Sequence, residues 1–254
     1  MSSIPANTFR KPLIIGHRGF RAKYPENTLA GFQAAIDANA DMVELDVQLS
    51  RDGQIVVIHD AELNRTTNGK GTVASRSLAD LKKLDAGSWF HPRFRNERIP
   101  TLEEVLDLAA NRIMINIEIK VAPHLKTREA DGIEKKIMEL ILLKNALDRV
   151  LVSSFNKFIL ESVSQMDHPP ALGVLTEFAE DIDVLQICRK IKAFSWNPYY
   201  LELNEEKLIP MRESGIRVMP YTVNSPQDII RLTELGIDGM FTDDPVMARN
   251  IIGL

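Results

Sequence analysis

Four short pieces of this chain carry chemistry-bearing side chains at the ends of apolar runs: His17-Arg18-Gly19, Glu44-Leu45-Asp46, His59-Asp60 and Glu118-Ile119-Lys120. They follow Leu13–Ile15, Met42–Val43, Ile55–Ile58 and Ile113–Ile117. Residues i and i+2 of a strand point to one face, so Glu44 shares a face with Asp46, and Glu118 with Lys120. Imidazoles, carboxylates, an arginine and a lysine gathered at strand ends suit metal-assisted chemistry on an anion. Glu44, Asp46 and Glu118 offer the oxygen ligands that hard cations such as Mg²⁺ or Ca²⁺ prefer. Without a cation they would repel and raise one another's pKa. Zn²⁺ fits this donor set less well. His17 and His59 suit proton transfer near neutral pH. Arg18 and Lys120 supply fixed positive charge for an oxyanion. Tyr221, Asn224 and Trp196-Asn197 close later strands and could line a small polar pocket, although core packing explains Trp196 and Tyr221 equally well. Thr242-Asp243-Asp244-Pro245 reads as a helix cap. His91, His124 and His168 lie in loops and receive no role.

The elements that must position these groups alternate strand and helix. Strands are predicted at Leu13–His17, Asp41–Asp46, Ile113–Lys120, Val150–Phe155, Ala171–Leu175, Ala193–Trp196, Arg217–Val223 and Gly239–Asp243. Helical signals separate most of them. Thr28 caps a helix with Leu29, Phe32, Ala35 and Ile36 on one face. Thr101 and Glu104 form a capping box, Ser225-Pro226 opens another helix, and Gly215 and Gly236 follow helix ends. This alternation predicts an α/β fold, a (β/α)8 TIM barrel; an open doubly wound sheet is the alternative, without the GxGxxG of a dinucleotide site. Ile55–Asp60 is a further apolar run, too close to the second strand for a crossover helix. Asp52-Gly53 signals a hairpin turn, and pairing outward from it sets Ser50 against Ile55, Gln48 against Val57 and Asp46 against His59. A parallel third strand is the alternative. Asn64–Arg98 breaks the rhythm, with a short helix expected at Leu78–Leu84 capped by Ser77. The sequence thus reads as one catalytic domain over 1–254 with a small inserted cap at about 47–98 after the second strand. Trp89 and Phe90 are expected to form the core of that cap; lining the substrate entrance is the alternative.

With 254 residues, 44% hydrophobic and 26% charged, the chain can build a substantial core. A net charge of −4 gives no footprint for nucleic acid or an acidic membrane. Cys188 stands alone, which rules out an intramolecular disulfide and suggests a buried small side chain. Met1–Arg10 is polar, which predicts no signal peptide, and no apolar run is long enough to span a membrane; Ile137–Leu143 reads as an amphipathic helix. These features suggest a cytoplasmic protein with a small-molecule substrate, no nucleic-acid partner and no stable membrane insertion, and leave the oligomeric state open.

Taken in order, His17-Arg18-Gly19, Pro25-Glu26-Asn27-Thr28, Glu44-Leu45-Asp46-Val47, Asp52-Gly53, His59-Asp60, Arg65-Thr66-Thr67-Asn68-Gly69, Glu118-Ile119-Lys120, Ser153-Ser154-Phe155, Tyr221-Thr222-Val223-Asn224 and Thr242-Asp243 resemble the glycerophosphodiester phosphodiesterases. The resemblance runs from about Ile14 to Pro245, and its pieces are specific jointly rather than singly. It implies a barrel with a small insertion and one divalent cation, Mg²⁺ or Ca²⁺, held by Glu44, Asp46 and Glu118. The implied reaction converts deacylated phospholipids to sn-glycerol 3-phosphate and an alcohol. By the same resemblance, extended to phosphoinositide phospholipases C, a cyclic phosphate forms first, with His17 as base and His59 as acid and with Arg18 and Lys120 on the phosphate. Tyr221 stands where many members have Trp, which bears on the shape of the glycerol pocket. Lysophospholipase D-type activity on acylated lysolipids is the alternative within this fold; a non-catalytic barrel and an unrelated metal-dependent hydrolase are more distant ones. The leaving alcohol stays open.

Overall fold

The computed structural model describes residues 11–120 and 132–254; Met1–Arg10 and His124 lie outside the described residues. The elements run β1 (Leu13–Gly16), α1 (Leu29–Asp37), β2 (Met42–Leu49), β3 (Ile55–Val57), α2 (Leu78–Leu81), α3 (Leu102–Ala109), β4 (Met114–Ile119), α4 (Ile133–Leu143), β5 (Val150–Ser154), α5 (Lys157–Ser164), β6 (Ala171–Thr176), α6 (Val184–Ile191), β7 (Ser195–Pro198), α7 (Glu205–Glu213), β8 (Arg217–Val218), α8 (Pro226–Leu235), β9 (Gly239–Thr242) and α9 (Pro245–Ile252). Parallel neighbours follow the order β8-β7-β6-β5-β4-β2-β1-β9. Backbone hydrogen bonds from Asp238 N to Val218 O (2.9 Å) and from Phe241 N to Pro220 O (3.0 Å) close the ring. This is the (β/α)8 TIM barrel, and all the predicted barrel strands are in it. The last but one shrinks to Arg217–Val218 as regular strand.

Side-chain alternation divides the core in two. Val43, Leu45 and Val47 of β2 point outward and pack with Ile14, Ile115, Ile117, Phe32 and Val105 between barrel and helices. Leu13, Ile15, Met42, Leu151, Ala171, Phe194, Met219 and Phe241 plug the barrel interior. The next inward residues along β2 after Met42 are Glu44 and Asp46, so the interior changes from apolar to charged within two steps of one strand. Strands buried on both faces explain why the apolar runs read as continuous rather than alternating.

The helix ends follow their caps. Thr28 Oγ1 accepts from Gly31 N (3.1 Å) at the start of α1, and Thr101 and Glu104 form the reciprocal box that starts α3. Ser77 caps α2, which stops at Leu81 rather than running to Leu84. Asp244 caps α9 by accepting from Met247 N at 2.9 Å. Among the described residues, no helix is long and apolar enough to cross a membrane.

Two expectations about the excursion after β2 need correction. Ile55–Val57 is the antiparallel arm of a hairpin, as the Asp52-Gly53 turn predicts, but its register is one residue off the prediction: Val47 opposes Val57, Gln48 opposes Val56 and Leu49 opposes Ile55. The cause is the turn. Ser50 N bonds to Gln54 O, which leaves a three-residue loop, Arg51-Asp52-Gly53, instead of a two-residue one. Gly53 closes it at φ +72°, the left-handed position such a loop requires. Asp46 therefore faces Ile58, whose N–H donates to Asp46 O at 2.9 Å, rather than His59. The cap's core is also aliphatic, built from Val56, Ile58, Leu63, Val73, Leu81, Ala86 and Ile99. Trp89 is 40% exposed and packs edge-on against Phe90 in a surface row that continues to Phe94 and Tyr24. An aromatic pair cannot fill a space that small branched side chains already close.

Cys188 lies fully buried on α6, and burial pushes its thiol up to about 12. Because the thiolate is the reactive form, iodoacetamide at pH 8 is expected to leave the native chain unlabelled and to label it fully once guanidinium unfolds it. Rapid native labelling, read by intact mass, would contradict this placement.

Candidate active site

Strand register builds the acidic centre. β2 and β4 run parallel with Asp46 opposite Glu118 and Glu44 opposite Asn116. Glu44, Asp46 and Glu118 are all buried, and each offers an oxygen within 4.8 Å of the others'. At the end of β1 the chain turns sharply. His17 N donates to Thr242 O (2.9 Å), and Arg18 takes φ +54°, which aims its N–H at Glu44 Oε2 (2.8 Å). The next residue has to be glycine: a Cβ on Gly19 would lie 2.7 Å from the Gly31 carbonyl carbon. His17-Arg18-Gly19 is thus a single backbone device that presents an imidazole, a guanidinium and an amide to the centre of the mouth.

Burial, together with Asp46 and Glu118, raises the Glu44 carboxyl well above its usual range. Burial also raises Glu118, against the pull of the Lys120 ammonium. Asp46 goes the other way. Burial opposes its charge, yet Lys120, Arg18, His59 and the Asn27 amide together hold it well below the usual carboxylate range. The contacts are close: Lys120 Nζ to Asp46 Oδ1 at 3.1 Å, Arg18 Nε to Asp46 Oδ2 at 3.3 Å and Asn27 Nδ2 to Asp46 Oδ2 at 2.8 Å. Lys120 also pairs with Glu118. Glu44 Oε1 is buried without a hydrogen-bond partner. An all-oxygen donor set in which Glu44 Oε1 has no partner and Asp46 Oδ1 has only the Lys120 ion pair fits a hard divalent cation, which these three carboxylates could hold.

Each imidazole is oriented by a carboxylate that sequence reasoning did not assign. His17 Nδ1 lies 2.7 Å from Asp243 Oδ1, and His59 Nδ1 lies 2.6 Å from Asp60 Oδ1. A carboxylate partner places the proton on Nδ1 and leaves Nε2 as the base. Burial lowers the pKa of both imidazoles, outweighing the opposite pull of Asp243 on His17 and of Asp46 and Asp60 on His59. Asp243 lies within the predicted cap, but Asp244 alone does the capping; because β9 neighbours β1, Asp243 faces His17 instead. Asn224 is exposed and reaches the centre through Asp243, donating to its Oδ2 and accepting from its N–H, both at 2.9 Å. Tyr221 is half-buried, and its hydroxyl donates to Thr176 O at 2.8 Å. Burial, then Glu118 and Glu177, push that hydroxyl up. Trp196 and Asn197 are buried, with Trp196 Nε1 donating to Thr176 Oγ1.

The other group that the sequence reading left without a role is Glu26. Its carboxylate takes Arg18 Nη1 (2.8 Å), Arg65 Nη2 (2.7 Å) and Nη1 (2.9 Å), and Arg21 Nε (3.1 Å). Arg65 in turn holds Asp60, and Arg21 holds Asp243. One buried carboxylate therefore ties both histidine-orienting acids and Arg18 into one frame. The only sequence signal was its place in Pro25-Glu26-Asn27-Thr28, on a loop with no apolar run to announce it.

Residues 17–247 match the sequence profile of the Glycerophosphoryl diester phosphodiesterase family. A glycerophosphodiester phosphodiesterase of Caldanaerobacter subterraneus is 39% identical over 243 residues, covering 95% of this chain and 98% of the relative. One from Bacillus subtilis is 35% identical, covering 94% and 86%. In structure, the chain is similar to an Oleispira antarctica phosphodiesterase in complex with the product sn-glycerol-3-phosphate, with a TM-score of 0.89, 29% identity, and coverage of 96% and 98%.

The Glu26 frame has a stability consequence. Although burial opposes its charge, Arg65 and Arg18 hold this carboxyl at about 2, against 4.5 unfolded. A depressed carboxyl contributes above its unfolded pKa and loses that contribution as pH falls toward 2. The shift corresponds to about 3 kcal/mol. Glu26→Gln is therefore expected to lower urea-unfolding stability by about 3 kcal/mol at pH 7, a deficit that narrows below pH 4.5. A deficit independent of pH would point to packing instead of charge.

Proposed function

This chain belongs to the glycerophosphoryl diester phosphodiesterase family and is an enzyme of that activity, and we propose that its barrel mouth hydrolyses deacylated glycerophosphodiesters to sn-glycerol 3-phosphate by histidine acid–base catalysis with a divalent cation. The observation that carries the reading is the buried Glu44–Asp46–Glu118 group flanked by two imidazoles, each oriented by its own carboxylate. The product held by the Oleispira antarctica phosphodiesterase supports the glycerol 3-phosphate half of it. One catalytic domain spanning 1–254, with an insertion at about 47–98 and a cytoplasmic setting, completes the proposal; the family match over 17–247 and the lone cysteine support it.

A bound Mg²⁺ or Ca²⁺, held by Glu44, Asp46 and Glu118, would supply Lewis acidity to the phosphoryl oxygens and the attacking hydroxyl. The protein residues do the rest. Nε2 of His17 takes the proton of the glycerol 2-hydroxyl, whose oxygen bonds to phosphorus. The bond from phosphorus to the leaving alcohol breaks, and His59 Nε2 protonates the departing oxygen. Water then opens the cyclic phosphate: His59 takes a proton from water, and His17 returns its proton to the 2-oxygen, so one water is consumed. The lower exposure of His17, 13% against 30% for His59, favours a neutral base there. An arriving phosphodiester anion raises the pKa of His59 and loads it as the acid. Arg18 and Lys120 hold the phosphate, and Tyr221 and Asn224 line the pocket on either side of it.

A coupled assay for sn-glycerol 3-phosphate released from glycerophosphocholine tests the reading. Release is expected with Mg²⁺ or Ca²⁺, and excess chelator is expected to abolish it; full activity in chelator would overturn the metal assignment. His17→Ala and His59→Ala are each expected to lower kcat by roughly 10²- to 10⁴-fold with circular dichroism unchanged. Near-normal turnover in both variants would sink the acid–base assignment.

A further inference from the structure

The barrel mouth is divided by composition. The half built by β9, β1, β2 and β4 carries the charges: Asp243, His17, Arg18, Glu44, Asp46, Glu118 and Lys120. The half built by the four consecutive strands β5, β6, β7 and β8 carries aromatic rings just past the end of each, with Tyr200 beside Tyr199 after β7; four of these rings concern the site. These are Phe155, Phe178, Tyr199 and Tyr221. The rings form a continuous arc. Phe155 and Tyr221 lie 5.8 Å apart edge-on, Tyr221 and Tyr199 6.1 Å, and Tyr199 and Phe178 5.6 Å. The inner end of the arc touches the charged half, since Lys120 Nζ sits 5.9 Å from the Phe155 ring centre. Phe155 is 40% and Phe178 62% exposed, so neither ring is spent on the core.

The loops that carry these rings are also acidic. Glu177, Glu180, Asp181 and Asp183 follow β6 and Glu202 follows β7, and together they line a cavity of about 340 Å³ that reaches Thr176, whose carbonyl accepts from the Tyr221 hydroxyl. Lys207 is the one cation among the described residues lining it, and Glu202 pairs with it at 2.9 Å. Ring faces carry negative electrostatic potential, and aromatic groups of this kind receive ammonium and quaternary ammonium ions. Carboxylates on the same loops add to that field and disfavour an anion.

We propose that the aromatic arc Phe155–Tyr221–Tyr199–Phe178, with Glu177 and Glu180 beside it, binds the cationic group of the leaving alcohol and so selects amino-alcohol esters over neutral ones. The inference rests on the phosphodiesterase reading above and adds the part of the substrate that reading leaves free. With the phosphate held at Lys120, the leaving alcohol has two directions in which to extend. The charged half offers it the carboxylate frame already occupied by Arg18, Arg21 and Arg65; the aromatic half offers open ring surface. Phe178 and Glu180 are the two members furthest from the acid–base machinery, which makes them the clean probes.

The experiment compares kcat/KM for glycerophosphocholine and for glycerophosphoglycerol, whose leaving alcohol is uncharged, using the full chain and a divalent cation. The choline ester is expected to be favoured by roughly tenfold, carried mainly by KM, since a few exposed cation–π contacts multiply at roughly two- to fivefold each. Phe178→Ala and Glu180→Gln are each expected to lower that ratio by roughly two- to fivefold. Both side chains are exposed, so both variants are expected to fold as the wild type does. Tetramethylammonium chloride is expected to inhibit release from the choline ester competitively at concentrations where sodium chloride does not. Equal kcat/KM for the two esters in the wild type, or a ratio unmoved by both substitutions, overturns this inference and leaves the phosphodiesterase reading standing. Release from neither ester overturns that reading and takes the inference with it.

Discussion

The structure depends on charge balance under burial. Three carboxylates within 4.8 Å of one another, inside a barrel whose lower half is Leu, Ile, Met and Phe, cannot all ionise without compensation. The compensation is uneven, and the unevenness sets the chemistry. Asp46 receives Lys120, Arg18 and Asn27 and stays charged; Glu44 keeps one oxygen with no partner at all. Such a site is unstable as a purely internal ion network and complete with one more positive charge. Arg21 and Arg65 cannot supply it, because Glu26, Asp60 and Asp243 have already engaged them.

That balance is positioned by strand register rather than by loops. Asp46 meets Glu118 because β2 and β4 are adjacent in the sheet, although 72 residues separate them in sequence. His17 meets Asp243 across 226 residues because β1 and β9 are hydrogen-bonded neighbours in the barrel. Groups fixed to the ends of hydrogen-bonded strands share the rigidity of the sheet, so their separations are set before any ligand arrives. Preorganised charge of this kind stabilises a developing charge without reorganising to meet it.

Much of this was legible in the chain. The barrel strands announced themselves as β-branched runs, and Glu44, Asp46, Glu118 and Lys120 ended them in pairs two residues apart, so the shared face followed from strand geometry alone. Glu26, Asp60 and Asp243 stood in the motifs, but their roles were not legible. Glu26 lies in a loop with no periodicity, and Asp243 sits in a stretch whose capping signal was real but belongs to Asp244. Their roles depend on which strands touch, and no local pattern encodes that. Trp89 and Phe90 misled for the opposite reason. Large aromatics usually mark a core, but the small cap is closed by Leu63, Val73 and Leu81, and the rings were left to the surface.

The hairpin shows how a local detail reaches the site. A two-residue turn would have set His59 against Asp46; the three-residue loop closed by Gly53 puts Ile58 there instead and advances His59 beyond the strand pairing. His59 is then held by other means. The Gln48 side-chain amide faces the carbonyls of Ile58, His59 and Asp60 at 2.8 to 3.0 Å, and Asp60 is fixed from the far side by Arg65, which reaches back to Glu26. His17 thus belongs to the barrel and His59 to the cap, and these rest on separate apolar cores. The spacing of the two imidazoles is consequently set where barrel and cap meet. The Glu26–Arg65–Asp60 chain of ion pairs crosses that junction, which is why a carboxylate that touches neither histidine can still govern the geometry between them.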